Sequence, residues 1–168
     1  MRRFAAGTRQ TAPRPWCETL GNEISGIEKM IWTLKIKLVF GLYAKDRWEG
    51  TLEIDSSSTL DELHGAIQDA VDFDNDHLYE FYVSRTARSR ERIRYDDDNE
   101  EIFTRTIESI FPLEKDGKLF YMFDYGDSWL FQVSRSRKKP FSSEAGVKYP
   151  RLVNELGEKP EQYPVWEE

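Results

Sequence analysis

Met30-Ile31-Trp32-Thr33-Leu34-Lys35-Ile36-Lys37-Leu38-Val39-Phe40, followed after a turn over Gly41–Arg47 by Trp48-Glu49-Gly50-Thr51-Leu52-Glu53-Ile54, decides how the chain folds. Trp32, Leu34, Ile36, Leu38 and Phe40 alternate with Thr33, Lys35, Lys37 and Val39. Trp48, Gly50, Leu52 and Ile54 alternate with Glu49, Thr51 and Glu53. A period of two marks a strand with one buried face. Joined as a hairpin, the two strands set Lys35 across from Glu53 on the wet face and Ile36 across from Leu52 on the dry one. An opposite-charge pair of that kind adds about 0.2–1 kcal/mol.

Downstream, Thr59-Leu60-Asp61-Glu62 has the form of a capping box, in which Thr59 caps the amide of Glu62 and Glu62 reaches back to the amide of Thr59. Leu60, Leu63, Ile67, Ala70 and Val71 then share one helical face. The turn-rich Asp72–Asp76 ends that helix, and Leu78–Val83 reads as a third strand. Residues 85–101 carry Arg85, Arg88, Arg90, Arg92 and Arg94, then Asp96–Asp98, Glu100 and Glu101. They read as a long exposed loop with a short strand at Arg92–Tyr95. Thr106–Phe111 reads as a short helix stopped by Pro112. Lys118–Tyr125 and Ser128–Arg135 form a second hairpin around Gly126-Asp127. A two-residue turn there places Phe120, Met122 and Asp124 on the face of Trp129, Phe131 and Val133. The tail from Pro140 is rich in Pro, Ser and Glu, with one apolar stretch at Leu152–Leu156. The order β-β-α-β, then a short helix and a C-terminal β-hairpin, predicts an α+β fold. It matches a β-grasp (ubiquitin-like) roll, with one helix across a mixed sheet.

The chain has 168 residues, room for one ordinary domain. Its formal charge is −7, with 31 acidic and 24 basic side chains, a balance that repels phosphate backbones at long range. The single cysteine, Cys17, forms no internal disulfide and fits a reducing, cytoplasmic setting. No apolar run is long enough to span a bilayer. Residues 1–29, with Arg2, Arg3, Arg9 and Arg14 and no acid before Glu18, read as a disordered extension. The folded domain then runs from 30 to 166, and Met30 would serve as its initiator.

Leu60-Asp61-Glu62-Leu63-His64, Asp76-His77-Leu78-Tyr79-Glu80-Phe81 and Tyr121-Met122-Phe123-Asp124-Tyr125-Gly126-Asp127-Ser128-Trp129 resemble the plasmid pRiA4b ORF-3-like family. The tail Gly157-Glu158-Lys159-Pro160-Glu161-Gln162-Tyr163-Pro164 is similar to the end of one branch of it. The resemblance implies a small α+β roll, among proteins carried by transposons and plasmids, and implies no established activity. Many relatives carry a histidine where this chain has Phe131. Many also carry cysteines in the region of Lys159–Gln162. A metal or acid–base role resting on those residues does not transfer.

Candidate functional residues are few. His64, beside Leu60, Leu63 and Ile67, reads as a histidine at the edge of the core with one nitrogen satisfied. His77 and Glu80 fall on opposite faces of a strand, which argues against an acid–base pair. Asp72–Asp76 fails as a calcium loop, since His77 stands where glycine is needed and Val83 where a bidentate glutamate is needed. The arginine run reads as a solvated loop neutralised by the acids that follow. Arg135, Arg137, Lys138 and Lys139 read as a solubilising edge. Asp124 on the face of Trp129 would bond the indole N–H or receive an arginine, because burying it unpaired is costly. Together His77, Glu80, Asp124, Tyr125, Asp127 and Trp129 make the candidate partner or ligand surface.

No serine–histidine–acid set, P-loop or dinucleotide glycine pattern occurs. No cofactor is implied. The favoured function is a noncatalytic module that binds a protein or small ligand. Two alternatives remain on the sequence: a metal-assisted hydrolase using His77, Glu80, Asp124 and Asp127, and a mobile-element accessory that contacts nucleic acid.

Overall fold

The alternating stretches form β1 (Met30–Phe40) and β2 (Glu49–Asp55) in the computed structural model, which describes residues 28–164. The expected N-terminal extension up to residue 27, Cys17 and Trp166 lie outside the described residues. The capped helix is α1 (Leu60–Val71), with both bonds of the capping box present. Then follow β3 (Tyr79–Ser84), β4 (Ile93–Tyr95), α2 (Glu101–Thr104), α3 (Ile107–Ile110), β5 (Lys118–Phe123), β6 (Trp129–Arg135), β7 (Phe141–Ser142) and β8 (Arg151–Leu156). The strands make one sheet in the order β4-β3-β5-β6-β1-β2-β8, with β7 beside the start of β1. The fold is α+β as expected. Every described pairing is antiparallel, however, where a mixed sheet was anticipated. The apolar stretch near 152 supplies an edge strand against β2. Among the described residues no helix is long and apolar enough to cross a membrane.

Both hairpins differ from expectation in register, with opposite consequences. In the first, Thr33 lies opposite Glu53, Leu34 opposite Leu52 and Lys35 opposite Thr51. That is a slip of two residues, which changes partners and preserves faces. Glu53 is therefore served not by Lys35 but by Lys138 at 2.8 Å and by two bonds from Arg151 at 2.7 and 2.9 Å. Burial pushes the Glu53 carboxyl up, but the hydrogen bonds from Lys138 and Arg151 outweigh it and leave the group below its ordinary value. The basic run at 135–139 thus does more than solubilise an edge: Lys138 holds Glu53, and Arg135 stacks over the ring of Trp32 at 3.8 Å.

In the second hairpin Phe123, not Asp124, lies opposite Trp129, and Tyr121 lies opposite Phe131. A slip of one residue exchanges the faces of one strand. Leu119, Tyr121 and Phe123 therefore join Trp129, Phe131 and Val133 in the core, together with Leu34, Ile36, Leu52, Ile54, Phe81 and the apolar face of α1. Phe120 goes to the far face, where it packs with Tyr82 and Leu130 under Ala87 and Met122.

Two glycines admit indoles into this core. Trp48 lies over Gly50, where an added Cβ would come within 2.6 Å of Trp48 Cη2. Trp129 occupies the space beside Gly41, where an added Cβ would sit 2.3 Å from Trp129 Cε3. Both tryptophans are fully buried. Overpacking of this kind costs about 1–3 kcal/mol. Gly41→Ala should lower the urea midpoint accordingly while the slope of the transition stays unchanged; an unaltered midpoint would show that Trp129 has room to move.

Candidate functional site

The end of the sheet where β5 turns into β6 gathers most of the candidate residues. The loop is Asp124–Ser128 rather than a two-residue turn, and both its first and last residues are left-handed, at φ 56° for Asp124 and 54° for Ser128. Asp124 pays for its own conformation locally. Its Oδ1 accepts the amides of Gly126 at 2.8 Å and Asp127 at 3.3 Å, while the Ser128 amide donates to the Asp124 carbonyl at 2.7 Å. An aspartate that bonds the backbone ahead of it is suited to a turn. The expected bond to the indole of Trp129 does not form. Trp129 Nε1 is buried with no hydrogen-bond partner among the described residues.

Two further backbone bonds tie flanking loops to this turn. The Leu42 amide donates to the Asp127 carbonyl at 2.8 Å, and the Asp124 amide donates to the Leu78 carbonyl at 3.0 Å. Beside them His77 Nε2 stands 3.5 Å from Asp124 Oδ2. The C-terminal tail closes over the same spot. Tyr163 donates its hydroxyl to Asp76 Oδ2 at 2.5 Å, leaving its oxygen to accept from Gln162 Nε2 at 3.1 Å and from His77 Nε2 at 3.0 Å. Gln162 is buried; its carbonyl accepts the Asp74 amide at 2.7 Å and its nitrogen donates to Asp76 Oδ1 at 2.8 Å. The Tyr163 bond, more than any other cause, holds the Asp76 carboxyl below its usual value, and the same bond pushes the Tyr163 phenol up to about 12.

The six candidates do not converge. His77 and Asp124 come together, with Asp127 contributing backbone groups and Tyr125 standing half-exposed beside them. Glu80 sits on the far face of β3, buried, where Arg94 Nε donates to it at 2.6 Å and Arg92 lies 3.8 Å away. Trp129 belongs to the core, so it offers a partner nothing. Of the arginine run, Arg92 and Arg94 are engaged by Glu80, which precedes it, and Asp96 lies 3.7 Å from Arg94. Among the described residues no three His, Cys, Asp or Glu side chains are gathered to hold a metal ion. Asp76, Gln162 and Tyr163 escaped sequence reasoning because Tyr163 meets His77, and Gln162 meets Asp76, across 86 positions of chain, and Asp76 sits in a turn with no chemical signature.

A second polar group lies inside the core, between α1 and β5. The Asn75 amide donates to Gln68 Oε1 at 3.1 Å, so Gln68 Nε2 must donate to the Tyr121 hydroxyl at 2.8 Å. Tyr121 then gives its proton to His64 Nδ1 at 2.6 Å, and His64 Nε2–H donates to Asn75 Oδ1 at 2.6 Å. With Gln68 and Asn75 so oriented, the bonds match a neutral His64 that carries its proton on Nε2. The ring stacks on Tyr79 at 3.6 Å, and Tyr79 donates to Asp61 at 2.5 Å. The expected edge histidine is buried with both nitrogens engaged.

The chain belongs to the plasmid pRiA4b ORF-3-like family, whose model matches residues 31–162. No curated protein matches it. A crystal structure of a protein of unknown function, MM3350 from Methanosarcina mazei Go1, is similar in fold. The TM-score is 0.61 at 20% identity, over 76% of this chain and 70% of that one.

Burial holds the His64 ring below its ordinary value, against the upward pull of Asn75 and Asp61. The unfolded chain, titrating near about 6.5, therefore binds a proton before the folded one does. The stabilisation is whole above that pH and drains away as pH falls below it. Urea unfolding followed from pH 7 to pH 5 should show that loss in the wild type and a flatter profile in His64→Gln; parallel profiles would remove His64 as the cause. Tyr121→Phe, which strands His64 Nδ1 and Gln68 Nε2, should cost about 1–3 kcal/mol at pH 7.

Proposed function

We propose that this protein is a noncatalytic interaction module that engages a protein partner through the sheet end around the β5–β6 turn. The observation that carries this is the set of large apolar side chains held in solvent there. Leu78 is 64% exposed, Leu42 58%, and Tyr125 and Phe40 each 50%. The loops that bear Leu42 and Leu78 are pinned to the turn by the two backbone bonds described, so the surface is ordered before a partner arrives. Preorganised apolar and aromatic anchors are the residues from which binding hot spots are made. The charged groups nearby, Asp76, His77 and Asp124, are bonded to one another and to Tyr163, which suits a rim of fixed polarity.

A β-grasp-like roll is the scaffold we infer, supported by the β-β-α-β order and by α1 lying across one face of the sheet. The hydrolase alternative has less support, because its Glu80 is bound by Arg94 on the other face while His77 and Asp124 bond the tail and the turn. A nucleic-acid role has less still, given the net charge of −7 and the engagement of Arg92 and Arg94 by Glu80.

Affinity capture from crosslinked native cells should recover a partner with the wild type and with Ile93→Ser, a control on the distant edge strand β4. Leu42→Ser/Leu78→Ser/Tyr125→Ser should lower recovery of that partner at least tenfold. In calorimetry the purified partner should bind the wild type and Ile93→Ser alike, and the triple variant at least tenfold more weakly. Equal recovery with the triple variant, or no partner recovered with the wild type above an empty-resin control, would defeat the proposal.

A further inference from the structure

β4 ends the sheet and pairs with β3 alone among the described residues, so its other edge carries backbone N–H and C=O groups without a strand partner. Proteins blunt such edges with charged side chains that stand over them. Here the two arginines nearest the edge are drawn away from it. Arg94 Nε donates to Glu80 at 2.6 Å, and the Arg92 guanidinium lies over the Tyr82 ring at 4.3 Å, both on the face away from α1. On the opposite face the edge is apolar. Ile93, 58% exposed, borders a cavity of about 260 Å³ that has Val83, Tyr95, Ile110 and Leu113 among its walls.

The charges flanking β4 are sorted by its two ends. Residues 85–94 hold Arg85, Arg88, Arg90, Arg92 and Arg94 against the one acid Glu91. Residues 96–101 hold Asp96, Asp97, Asp98, Glu100 and Glu101 and no base. Arg88, Arg90, Asp97 and Asp98 are exposed and make no side-chain hydrogen bond or ion pair among the described residues. A segment that is basic before its strand and acidic after it attracts an antiparallel copy of itself. In such a pairing about a two-fold axis at Arg94, Arg92 of each copy lies opposite Asp96 of the other on one face. Ile93 then lies opposite Tyr95 on the other face, so both kinds of cross-strand pair are complementary. The Arg94 side chains meet at the axis, each neutralised by its own Glu80. Beyond the strand, the Arg88–Arg90 loop of each copy comes beside the Asp97–Asp98 turn of the other. Two-fold symmetry makes every one of these contacts twice and closes the assembly at two chains.

We propose that β4 is a dimerisation edge whose occupant is β4 of a second copy, which continues the sheet across a two-fold axis. The edge uses Ile93, Tyr95 and the charged flanks rather than Leu42, Leu78 and Tyr125, so this reading and the function proposed above fail separately.

Sedimentation velocity of the full chain over a concentration series tests it. A dimer of the 19.8 kDa chain should grow with concentration and weaken at high salt. Arg88→Asp/Arg90→Asp makes both flanks acidic, and Asp97→Arg/Asp98→Arg makes both basic. Each variant alone should dimerise at least tenfold more weakly. An equimolar mixture of the two should associate at least as well as the wild type, because each chain then meets the opposite charge at both flanks. All four positions are exposed, so the urea midpoints should match that of the wild type. Ile93→Lys guards the edge with a charge and should also dissociate the dimer. Three results would overturn the assignment. They are a dimer indifferent to the reversals, a mixture that does not reassociate, and a wild type still monomeric at submillimolar chain, as when the arginines serve an acidic partner of another kind.

Discussion

The register of the β5–β6 hairpin governs much of what the molecule becomes, and Asp124 sets it. By taking a left-handed conformation and binding the amides of Gly126 and Asp127, Asp124 ends β5 at Phe123 and allows β6 to begin at Trp129. One residue more or less in that loop would send Tyr121 and Phe123 to the far face and bring Phe120 and Met122 inward. Tyr121 would then lose His64 and Gln68. Phe73 would lose the ring of Phe123, which it meets at 6.0 Å. A short acidic side chain in a turn therefore decides which aromatic rings make the core.

Polar groups inside that core act as a second constraint, because each must be matched. His64, Gln68, Asn75 and Tyr121 satisfy one another in a chain of bonds that begins at the Asn75 backbone amide. The network joins the middle of α1, the turn after it and the centre of β5, three segments whose apolar contacts alone would tolerate sliding. On the sheet's other side, Glu53 with Lys138 and Arg151 ties β2 to the segment after β6 and to β8. Glu80 with Arg94 ties β3 to β4. Removing one partner from such a group leaves a buried charge or dipole unmet, which is why these groups specify the arrangement more than they stabilise it.

The surfaces left over differ in character. The turn end of the sheet is apolar and rigid, with its ionisable groups already bonded. The groove outside α1 is lined by exposed Glu62, Asp69 and Glu144, with the Arg151 guanidinium beside it.

The sequence determined the local elements: the two alternating strands, the boxed N-terminus of α1, the turn at Asp72–Asp76, and the short helix before Pro112, since each rests on neighbours within a few residues. It also named His77 and Asp124 among the candidate residues, which lie 3.5 Å apart. Register it left open, because Lys35 facing Glu53 and Thr33 facing Glu53 satisfy the same two-residue pattern, and because a turn of two residues and one of five both accept Gly126-Asp127. Only the tertiary structure decided that Glu80 belongs to Arg94, that Trp129 is interior, that Tyr163 reaches His77, and that the tail adds strands to the edge. Those outcomes depend on distances between segments far apart in the chain, and hydrophobic periodicity carries no information about which distant side chain will arrive to satisfy a buried polar one.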